Sequence, residues 1–316
     1  MKIGYYEENR YHTEIIGVFL QTLNHHTIVV YNTVDNSKTI QFYHTLYQFE
    51  QRPKQNLINE YKSYDLIIIG SSSNTKDFID KLGDDKIDYN KFIFVCHLKS
   101  DIKEIYKYVI VLTPLNIISP KTVFVLPIHN IKMNNDENIV TKPIFTIIGR
   151  FKDNNRDTSD LVKLITNYHT LNFIVYIFSR TIKFIPKVLF NLAKTYPSKL
   201  KIFLNTNSEK MDEYLRQSKF ILPLVSKNSW YHKDRLSGNI PLAFNYNVPL
   251  IIDNKLKEIY QIDSCLSYEN KLSEVIETAV NITNNEYRDL VNKFVEYKNH
   301  ILDQNCKSLD MIINNG

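Results

Sequence analysis

Positively charged and small residues stand together in one segment of the chain, and the combination is typical of a phosphate-binding site. The segment Trp230–Gly238 places Lys233 and Arg235 shortly before Ser237 and Gly238. The apolar periodicity that follows predicts a helix beginning at Arg235. Cationic side chains beside a helix N-terminus, whose backbone N–H groups lack partners, can together neutralise a diphosphate. A surface loop with solvated charges is the alternative for this segment.

Three further candidate residues follow predicted strands. Gly149 and Arg150 come directly after the apolar run 144–148, and His97 comes directly after the apolar run 92–96. Ligands of parallel α/β sheets bind at the carboxyl ends of the strands, so both side chains are placed for contact with a substrate. For His97, a histidine held only by local hydrogen bonds is an equally open alternative.

Both halves of the chain alternate short apolar runs with helical patterns, which predicts two parallel sheets. The predicted strands cover residues 3–6, 27–31, 65–70, 92–96, 108–112, 123–126, 144–148, 173–178, 201–204, 220–224, 249–252 and 265–268. The predicted helices cover residues 14–23, 75–82, 158–167, 185–196, 209–217, 235–246, 272–282 and 286–303.

The two halves are separated by a polar stretch over residues 130–138, which is typical of an exposed linker. We therefore expect an N-terminal domain over residues 1–135 and a second domain over residues 143–285. The last segment, 286–316, is expected to be a helix that packs back toward the first domain. The predicted fold class is α/β, with two Rossmann-like parallel-sheet domains facing each other across a cleft.

Composition narrows the function classes. A net charge of +5, spread along 316 residues without a basic stripe, argues against nucleic-acid binding. No apolar run is long enough to span a membrane, and the N-terminus has no secretory pattern, so we expect a cytoplasmic protein. The sequence has no Asp-x-Asp motif and no Cys/His cluster, so we expect neither a metal site nor a bound cofactor. Motifs of NTPases, metalloproteases, hydrolases and dinucleotide-binding enzymes do not occur.

Three segments carry a resemblance to a known family. Residues 145–151 look like a strand ending in Gly-Arg that opens a donor-binding domain, and residues 214–224 look like a helix followed by a strand with a Pro-containing turn. Residues 236–252 look like the donor-binding helix and the strand after it. In these segments and in its order of elements, the chain resembles the GT-B glycosyltransferases, and among them the family 4-like group.

The resemblance implies a transferase that moves a sugar from a UDP- or GDP-sugar, which is a substrate, to a glycan, protein or lipid acceptor. It places the donor on the second domain and the acceptor on the first. The residues implied to hold the donor are Gly149, Arg150, Asp234, Ser237 and Gly238. His97 would contact the transferred sugar, while Lys233 and Arg235 would neutralise the leaving diphosphate without a metal ion.

The resemblance leaves the stereochemistry open, with retention of configuration favoured over inversion. An inverting enzyme needs a general base for the acceptor hydroxyl, and Glu7 or His12 after the first strand could supply it. An ordinary polar loop is the alternative for these two residues, and a retaining enzyme of this type needs no such base.

The chain also departs from the family pattern. The two glutamates that usually flank the donor-binding helix correspond here to Asp234 and Leu242, and the lysine that usually follows Gly-Arg corresponds to Asn155, next to Arg156. A catalytically inactive GT-B module that binds sugars or acts as a scaffold is therefore an alternative. Nucleotide-sugar 2-epimerisation on the same fold is a third.

Overall fold

The computed structural model describes residues 1–7, 15–32, 37–71, 79, 82, 88–131, 143–151 and 155–314. By their contacts, the residues form two compact units. Unit 1 comprises Met1–Lys132, Asp234–Leu236 and His300–Gly316, and unit 2 comprises Met133–Lys233 and Ser237–Asn299. The chain therefore returns to unit 1 twice after first leaving it.

Unit 1 is built on a seven-stranded parallel sheet with the strand order β3-β2-β1-β4-β5-β6-β7. Its strands are β1 (Lys2–Glu7), β2 (Thr27–Asn32), β3 (Glu50–Pro53), β4 (Leu66–Ile69), β5 (Phe92–Cys96), β6 (Tyr108–Val111) and β7 (Thr122–Phe124). The helices before β4 are α1 (Ile16–Thr22), α2 (Ser37–His44) and α3 (Leu57–Glu60). This order is that of a Rossmann-like sheet, as the sequence predicts.

The central strands of unit 1 are continuously hydrophobic because both of their faces are buried. In β4, Ile68 packs into one core while Ile67 and Ile69 pack into the core on the other face. In β5, Ile93 and Phe94 divide between the two cores in the same way. Because side chains alternate between the faces of a strand, a strand covered on both faces has no polar positions.

Unit 2 contains a second parallel sheet, with the strand order β10-β9-β8-β11, and a parallel pair formed by β12 and β13. Its strands are β8 (Ile144–Ile148), β9 (Ile174–Ser179), β10 (Leu200–Leu204), β11 (Phe220–Ile221), β12 (Ile251–Asp253) and β13 (Leu266–Tyr268). Its helices are α4 (Thr158–Asn167), α5 (Lys187–Thr195), α6 (Ser208–Arg216), α7 (Asn239–Tyr246), α8 (Asn254–Tyr260) and α9 (Ser273–Asn281). A parallel bridge between Ile221 and Leu250 links the strand pair to the sheet. Two Rossmann-like parallel sheets, the predicted fold class, are thus confirmed.

The last helix, α10 (Asn284–Asn314), contributes to both units. A reciprocal cap starts it: the Glu286 N–H donates to the Thr283 hydroxyl at 3.3 Å, and the Glu286 carboxylate accepts from the Thr283 N–H at 2.9 Å. Phe294 stacks on Phe244 in unit 2, whereas Leu309 lies in the core of unit 1. The helix extends about eleven residues beyond the predicted end at residue 303.

Several predicted boundaries differ from the structure. The helix expected to begin at Arg235 begins at Asn239, and the sequence patterns missed both β3 and α8. The expected strand over residues 220–224 ends at Ile221, because the chain turns at Leu224 with a positive φ of 48°. His12, most of the predicted helix 75–82 and most of the polar linker lie outside the described residues. In the described part of the chain, no helix is long and apolar enough to cross a membrane.

Candidate functional site

At the carboxyl end of β8 in unit 2, the backbone carries no side chain at one position. Gly149 follows this strand with φ of +111°, a conformation that side-chain-bearing residues rarely adopt, and its N–H donates to the Phe178 carbonyl at 2.9 Å. A Cβ added at Gly149 would lie 3.1 Å from Nη2 of Arg156. The glycine therefore lets a ligand approach the backbone where the strand ends.

Arg156 is buried beside Gly149 and holds three loop segments together. Its Nε donates to the Arg150 carbonyl at 2.9 Å, and its two Nη atoms donate to the carbonyls of Ile148 and Pro223. Burial lowers the pKa of the guanidinium, and no carboxylate among the described residues pairs with it. Within the described ranges, this buried positive charge therefore has no carboxylate counter-charge, and a bound anion would stabilise it.

Arg150 is exposed at the same strand end. Its guanidinium carbon lies 4.4 Å from the centroid of the Phe184 ring, an arrangement that favours the cation electrostatically. The aromatic ring orients the side chain, so the charge has a defined place next to Gly149.

The N-terminus of α7 is fixed to the end of β8 by Asn239. The side-chain Oδ1 accepts from the Ile148 N–H at 3.0 Å, and Nδ2 donates to the Ile148 carbonyl at 2.8 Å. Gly238 is the N-cap residue and has open space where a side chain would be, while the Ser237 hydroxyl is buried without a partner among the described residues. The positive end of this helix thus stands at the edge where Gly149 lies. Sequence reasoning missed Asn239, although asparagine at a helix start is a common signal.

Lys233 lies at the end of a short 3-10 turn, Trp230–His232, and not beside a helix start as expected. Its Nζ is 5.1 Å from the centroid of the Trp230 ring. The buried His232 anchors this turn, because its Nε2 lies 2.9 Å from Oδ1 of Asp253. The sequence patterns do not single out Asp253. Its carboxylate caps the N-terminus of α8, and this local role gives no sign of its contact with His232.

Leu224 is a strained residue at the end of β11. Its φ of 48° is unusual for a bulky side chain, yet it is buried and its carbonyl accepts from the Asp157 N–H at 2.9 Å. Such conformations cost about 1–3 kcal/mol and cluster at ligand-binding sites. The strain therefore marks the same edge of unit 2 as Gly149 does.

A charged cavity of about 580 Å³ also opens in unit 2. It is lined by Asp157, Ser159, Asp160, Lys163, Lys227, Asn270, Lys271 and Glu274. Two of its carboxylates accept hydrogen bonds from backbone N–H groups. Asp157 accepts from the Asp160 N–H at 2.9 Å, and Asp160 accepts from the Leu272 N–H at 2.8 Å. Its polar groups thus serve to close loops and helix ends.

Asp234 and Arg235 belong to unit 1 by their contacts, although the sequence places them within the expected donor domain. Nδ2 of Asn116 donates to the Asp234 carbonyl at 2.9 Å, and Leu236 packs on the core of unit 1. Lys233 is part of unit 2 by the same criterion. Because the helix begins at Asn239, the expectation that Lys233 and Arg235 stand directly at a helix start is wrong.

His97 follows β5 in unit 1, as predicted, and it is neutral at neutral pH. Burial lowers its pKa to about 4. Nε2 lies 3.3 Å from the Gly70 carbonyl and 3.5 Å from the Ser71 hydroxyl. Because a carbonyl only accepts, we assign the ring proton to Nε2. The side chain is thus a hydrogen-bonding group and not a cation.

Asp101 interacts both with the backbone of His97 and with the segment that carries Arg235. Its carboxylate accepts from the Leu98 N–H at 3.0 Å and from the backbone N–H of His97. Burial raises the pKa of Asp101, an effect that these hydrogen bonds and the charge of Arg235 oppose. Asp234 also acts on this carboxyl, so the four residues form one polar cluster in unit 1. Only the position of Asp101 after a strand end could have suggested it from the sequence.

Glu7 is wholly buried at the end of β1, so it does not sit on an exposed loop as expected. A Cβ added at Gly70 would overlap both the Glu7 carboxylate and the Tyr5 hydroxyl. The side chain therefore fills the interior next to β4. For metal binding, no group of three or more His, Cys, Asp or Glu side chains is suitably arranged in the described ranges.

Comparison with solved structures identifies the fold. HepE of Anabaena, solved in complex with UDP and with UDP-glucose, superposes with a TM-score of 0.68 at 8% identity, covering 99% of both chains. A glycosyltransferase from Rickettsia africae has a TM-score of 0.64 at 14% identity, covering 99% of this chain and 96% of the other. AviGT4, a glycosyltransferase of avilamycin A biosynthesis, has a TM-score of 0.59 at 9% identity, covering 99% and 98%. No family model matches the chain, and no curated protein matches its sequence. The chain has the GT-B fold.

Proposed function

We propose that this chain is a glycosyltransferase that takes a sugar from a nucleotide-diphosphate donor bound by unit 2. The observation that carries the proposal is the end of β8, where the backbone of Gly149, the N-terminus of α7 and the buried charge of Arg156 meet, with no carboxylate partner for Arg156 among the described residues. A diphosphate would supply a counter-charge and would accept hydrogen bonds from the helix N-terminus. Because HepE, which shares the fold, binds UDP and UDP-glucose, a UDP-sugar is the first donor to test.

Several cationic side chains supply the positive charge of the proposed diphosphate site. Arg156 is buried and fixed by three carbonyl groups, whereas Arg150 and Lys233 are exposed and positioned over aromatic rings. Held over these rings, the exposed cations would stabilise the charge that develops on the leaving group, without a metal ion. Arg235 shares its charge with Asp101 and Asp234 in unit 1, so its removal should cost less donor affinity than the removal of Arg150.

We propose that transfer retains the anomeric configuration. An inverting mechanism needs a general base for the acceptor hydroxyl. Of the two candidates, Glu7 is buried beneath Gly70 and His12 lies outside the described residues, while a pKa of about 4 makes His97 a weak base. In the retaining route the leaving diphosphate takes the acceptor proton. Proton NMR of the first-formed product distinguishes the two: product with the donor's anomeric configuration supports retention, and the opposite anomer contradicts it.

Ligand-induced thermal stabilisation is the direct test of the donor site. UDP at about 100 times its dissociation constant should add about 2.7 kcal/mol to the stability of the folded chain, and EDTA should not remove the effect. Arg150→Met should lose most of this stabilisation. Arg288→Met, which removes an exposed arginine of α10, is the matched control and should retain it. If UDP, GDP and their sugars all leave the wild-type transition unchanged, the proposed donor site is wrong.

A module that binds the donor without turnover is the second candidate. Leu242 occupies the position in α7 where family members usually carry the glutamate that holds the donor ribose. An apolar side chain cannot accept hydrogen bonds from ribose hydroxyls. Donor hydrolysis or transfer by the wild-type chain would exclude this candidate, whereas tight UDP binding without any turnover across UDP-sugars would favour it.

The proposed reaction belongs in a reducing compartment. No disulfide joins Cys96, Cys265 and Cys306, all of which the structure describes. Reduced cysteines are typical of cytoplasmic proteins, so we propose that the enzyme acts there.

A further inference from the structure

The positive charge of the chain is concentrated in one segment of unit 2, although cations occur throughout the sequence. Residues 161–208 contain seven Lys and Arg residues and no Asp or Glu, against a net charge of +5 for the whole chain, so the remaining residues carry −2. Of the acids that border this segment, Asp160 is buried and accepts from the Leu272 N–H, and Glu209 lies in the first turn of α6. A segment with this composition attracts anionic partners.

Exposed apolar side chains lie on the same part of unit 2. Ile182 is 58% exposed, Val188 is 45% exposed and Leu204 is 40% exposed. Ile182 and Val188 belong to the connection from β9 into the first turn of α5, and Leu204 pairs in register with Ser179, the last residue of β9. All three therefore stand at the carboxyl end of β9 and of the edge strand β10. We call this surface, residues 179–188 with Leu204, the β9–β10 edge.

The turn that carries Ile182 is fixed by hydrogen bonds. The Thr181 hydroxyl accepts from the Lys183 N–H at 3.3 Å, and the Thr181 carbonyl accepts from the Phe184 N–H at 3.2 Å. The Phe184 carbonyl in turn accepts from the Phe151 N–H at 2.9 Å. The exposure of Ile182 is therefore a property of an ordered turn, which presents this side chain to solvent.

Cationic side chains flank the exposed apolar ones. Lys183 and Lys187 are exposed, and neither pairs with a carboxylate among the described residues. Arg180 is exposed at the same strand end. Long cationic side chains lay their stems along apolar surface and keep the charge in water. Apolar side chains surrounded by such cations suit the boundary between lipid headgroups and acyl chains.

The aliphatic character of Ile182, Val188 and Leu204 distinguishes between two polyanionic partners. A nucleic acid would gain from the cations, but its bases stack on aromatic side chains, and these three offer no such platform. An anionic bilayer uses both features, because its headgroups attract the lysines while its acyl boundary takes up the apolar side chains. Each lysine near an anionic bilayer strengthens binding about fivefold.

We propose that unit 2 docks on an anionic lipid bilayer through the β9–β10 edge, with Ile182, Val188 and Leu204 entering the headgroup boundary. The cytoplasmic leaflet of cell membranes carries the negative surface potential that this surface requires. The inference concerns where the chain works, and it does not rest on the proposed function.

The test is co-sedimentation of the full chain with vesicles of phosphatidylcholine alone or with about one-third phosphatidylglycerol. The wild-type chain should sediment with the anionic vesicles only, and raising NaCl from about 0.1 M to about 1 M, which shortens the Debye length from about 10 Å to about 3 Å, should release most of it. Lys183→Gln combined with Lys187→Gln should lower the partition coefficient about tenfold or more. Ile182→Ser combined with Val188→Ser should lower it about tenfold, because less apolar area leaves water.

Matched controls remove the same side-chain types elsewhere. Lys255→Gln combined with Lys293→Gln changes two exposed lysines of unit 2 outside the segment, and Ile105→Ser changes an isoleucine of unit 1 that is 55% exposed. Both controls should sediment as wild type does. Circular dichroism and the urea midpoint establish that every variant remains folded.

The remaining outcomes contradict the proposal. Absence of sedimentation, equal sedimentation with neutral vesicles, or equal losses in the controls would overturn it. A DNA duplex that binds more tightly than the anionic vesicles, and is weakened by the lysine variant but not by the apolar one, would identify a nucleic acid as the partner instead. Since none of these variants removes a residue of the proposed donor site, UDP-induced stabilisation should be the same in all of them, and its absence from the wild-type chain would refute the donor site alone.

Discussion

Replacing Arg156 by methionine tests whether the buried guanidinium holds the donor edge of unit 2 together. The change leaves the Arg150 and Pro223 carbonyls without this donor, while the Ile148 carbonyl keeps its bond from Asn239 at 2.8 Å. Without a donor, the buried Pro223 carbonyl costs about 1–3 kcal/mol, and the part-buried Arg150 carbonyl costs less. Removing a buried charge that has no carboxylate partner in the described part of the chain offsets some of this cost. We expect a net loss of about 2 kcal/mol in the free energy of unfolding.

Urea unfolding measures this loss as a shift of the midpoint at constant slope. Arg150→Met is the matched variant, because it removes an exposed arginine from the same strand end, and it should change stability by less than about 0.5 kcal/mol. Both variants should weaken UDP binding, Arg156→Met by roughly tenfold or more, since each removes a cation from the proposed diphosphate site. An Arg156→Met chain that is more stable than wild type and binds UDP normally would refute both parts of the reasoning.

Three further predictions concern pH and packing. Since the pKa of His97 is about 4 in the folded chain and near 6.5 when unfolded, the unfolded chain binds the extra proton between these values. Stability should therefore fall by about 2–3 kcal/mol from pH 7 to pH 4.5, and His97→Asn should reduce that loss in urea titrations. Burial lowers the pKa of Lys298 to about 8, so the folded chain loses this proton first and stability should rise between pH 8 and pH 10. Lys298→Met should abolish that rise, and an unchanged pH profile would contradict the assignment. Gly70→Ala should lower stability by about 1–3 kcal/mol in thermal unfolding, because its Cβ overlaps Glu7 and Tyr5; a wild-type melting temperature would show that these side chains move aside.

The sequence patterns predict the two sheets well because burial on both faces produces continuous apolar runs such as β4 and β5. They miss β3, whose residues Glu50–Pro53 are polar because it is an edge strand with mostly exposed side chains. They also place the start of α7 too early. The helical periodicity continues back to Leu236, but that side chain packs on unit 1, a contact that no local pattern contains.

The sequence predicts a residue of the candidate site only where the position of that residue after a strand is informative by itself. Gly149 and His97 follow strands and lie where the sequence places them. Arg156, Asn239 and Asn116 act through partners that are distant in sequence, such as Pro223, Ile148 and Asp234. Hydrogen bonds of this kind leave no periodic signal, so the polar network around each strand end could not be derived from spacing.

The end of α10 has a consequence for synthesis on the ribosome. Leu309 and Ile312 complete the core that Ile3 and Val18 begin, and the Asn305 side chain bonds both the N–H and the carbonyl of Leu126 at 3.1 and 2.8 Å. Domains usually fold as they emerge, at about 5–20 residues per second. Here β1 and α1 are translated long before α10, so the core that they share stays incomplete, with an apolar face exposed, until α10 has left the ribosome.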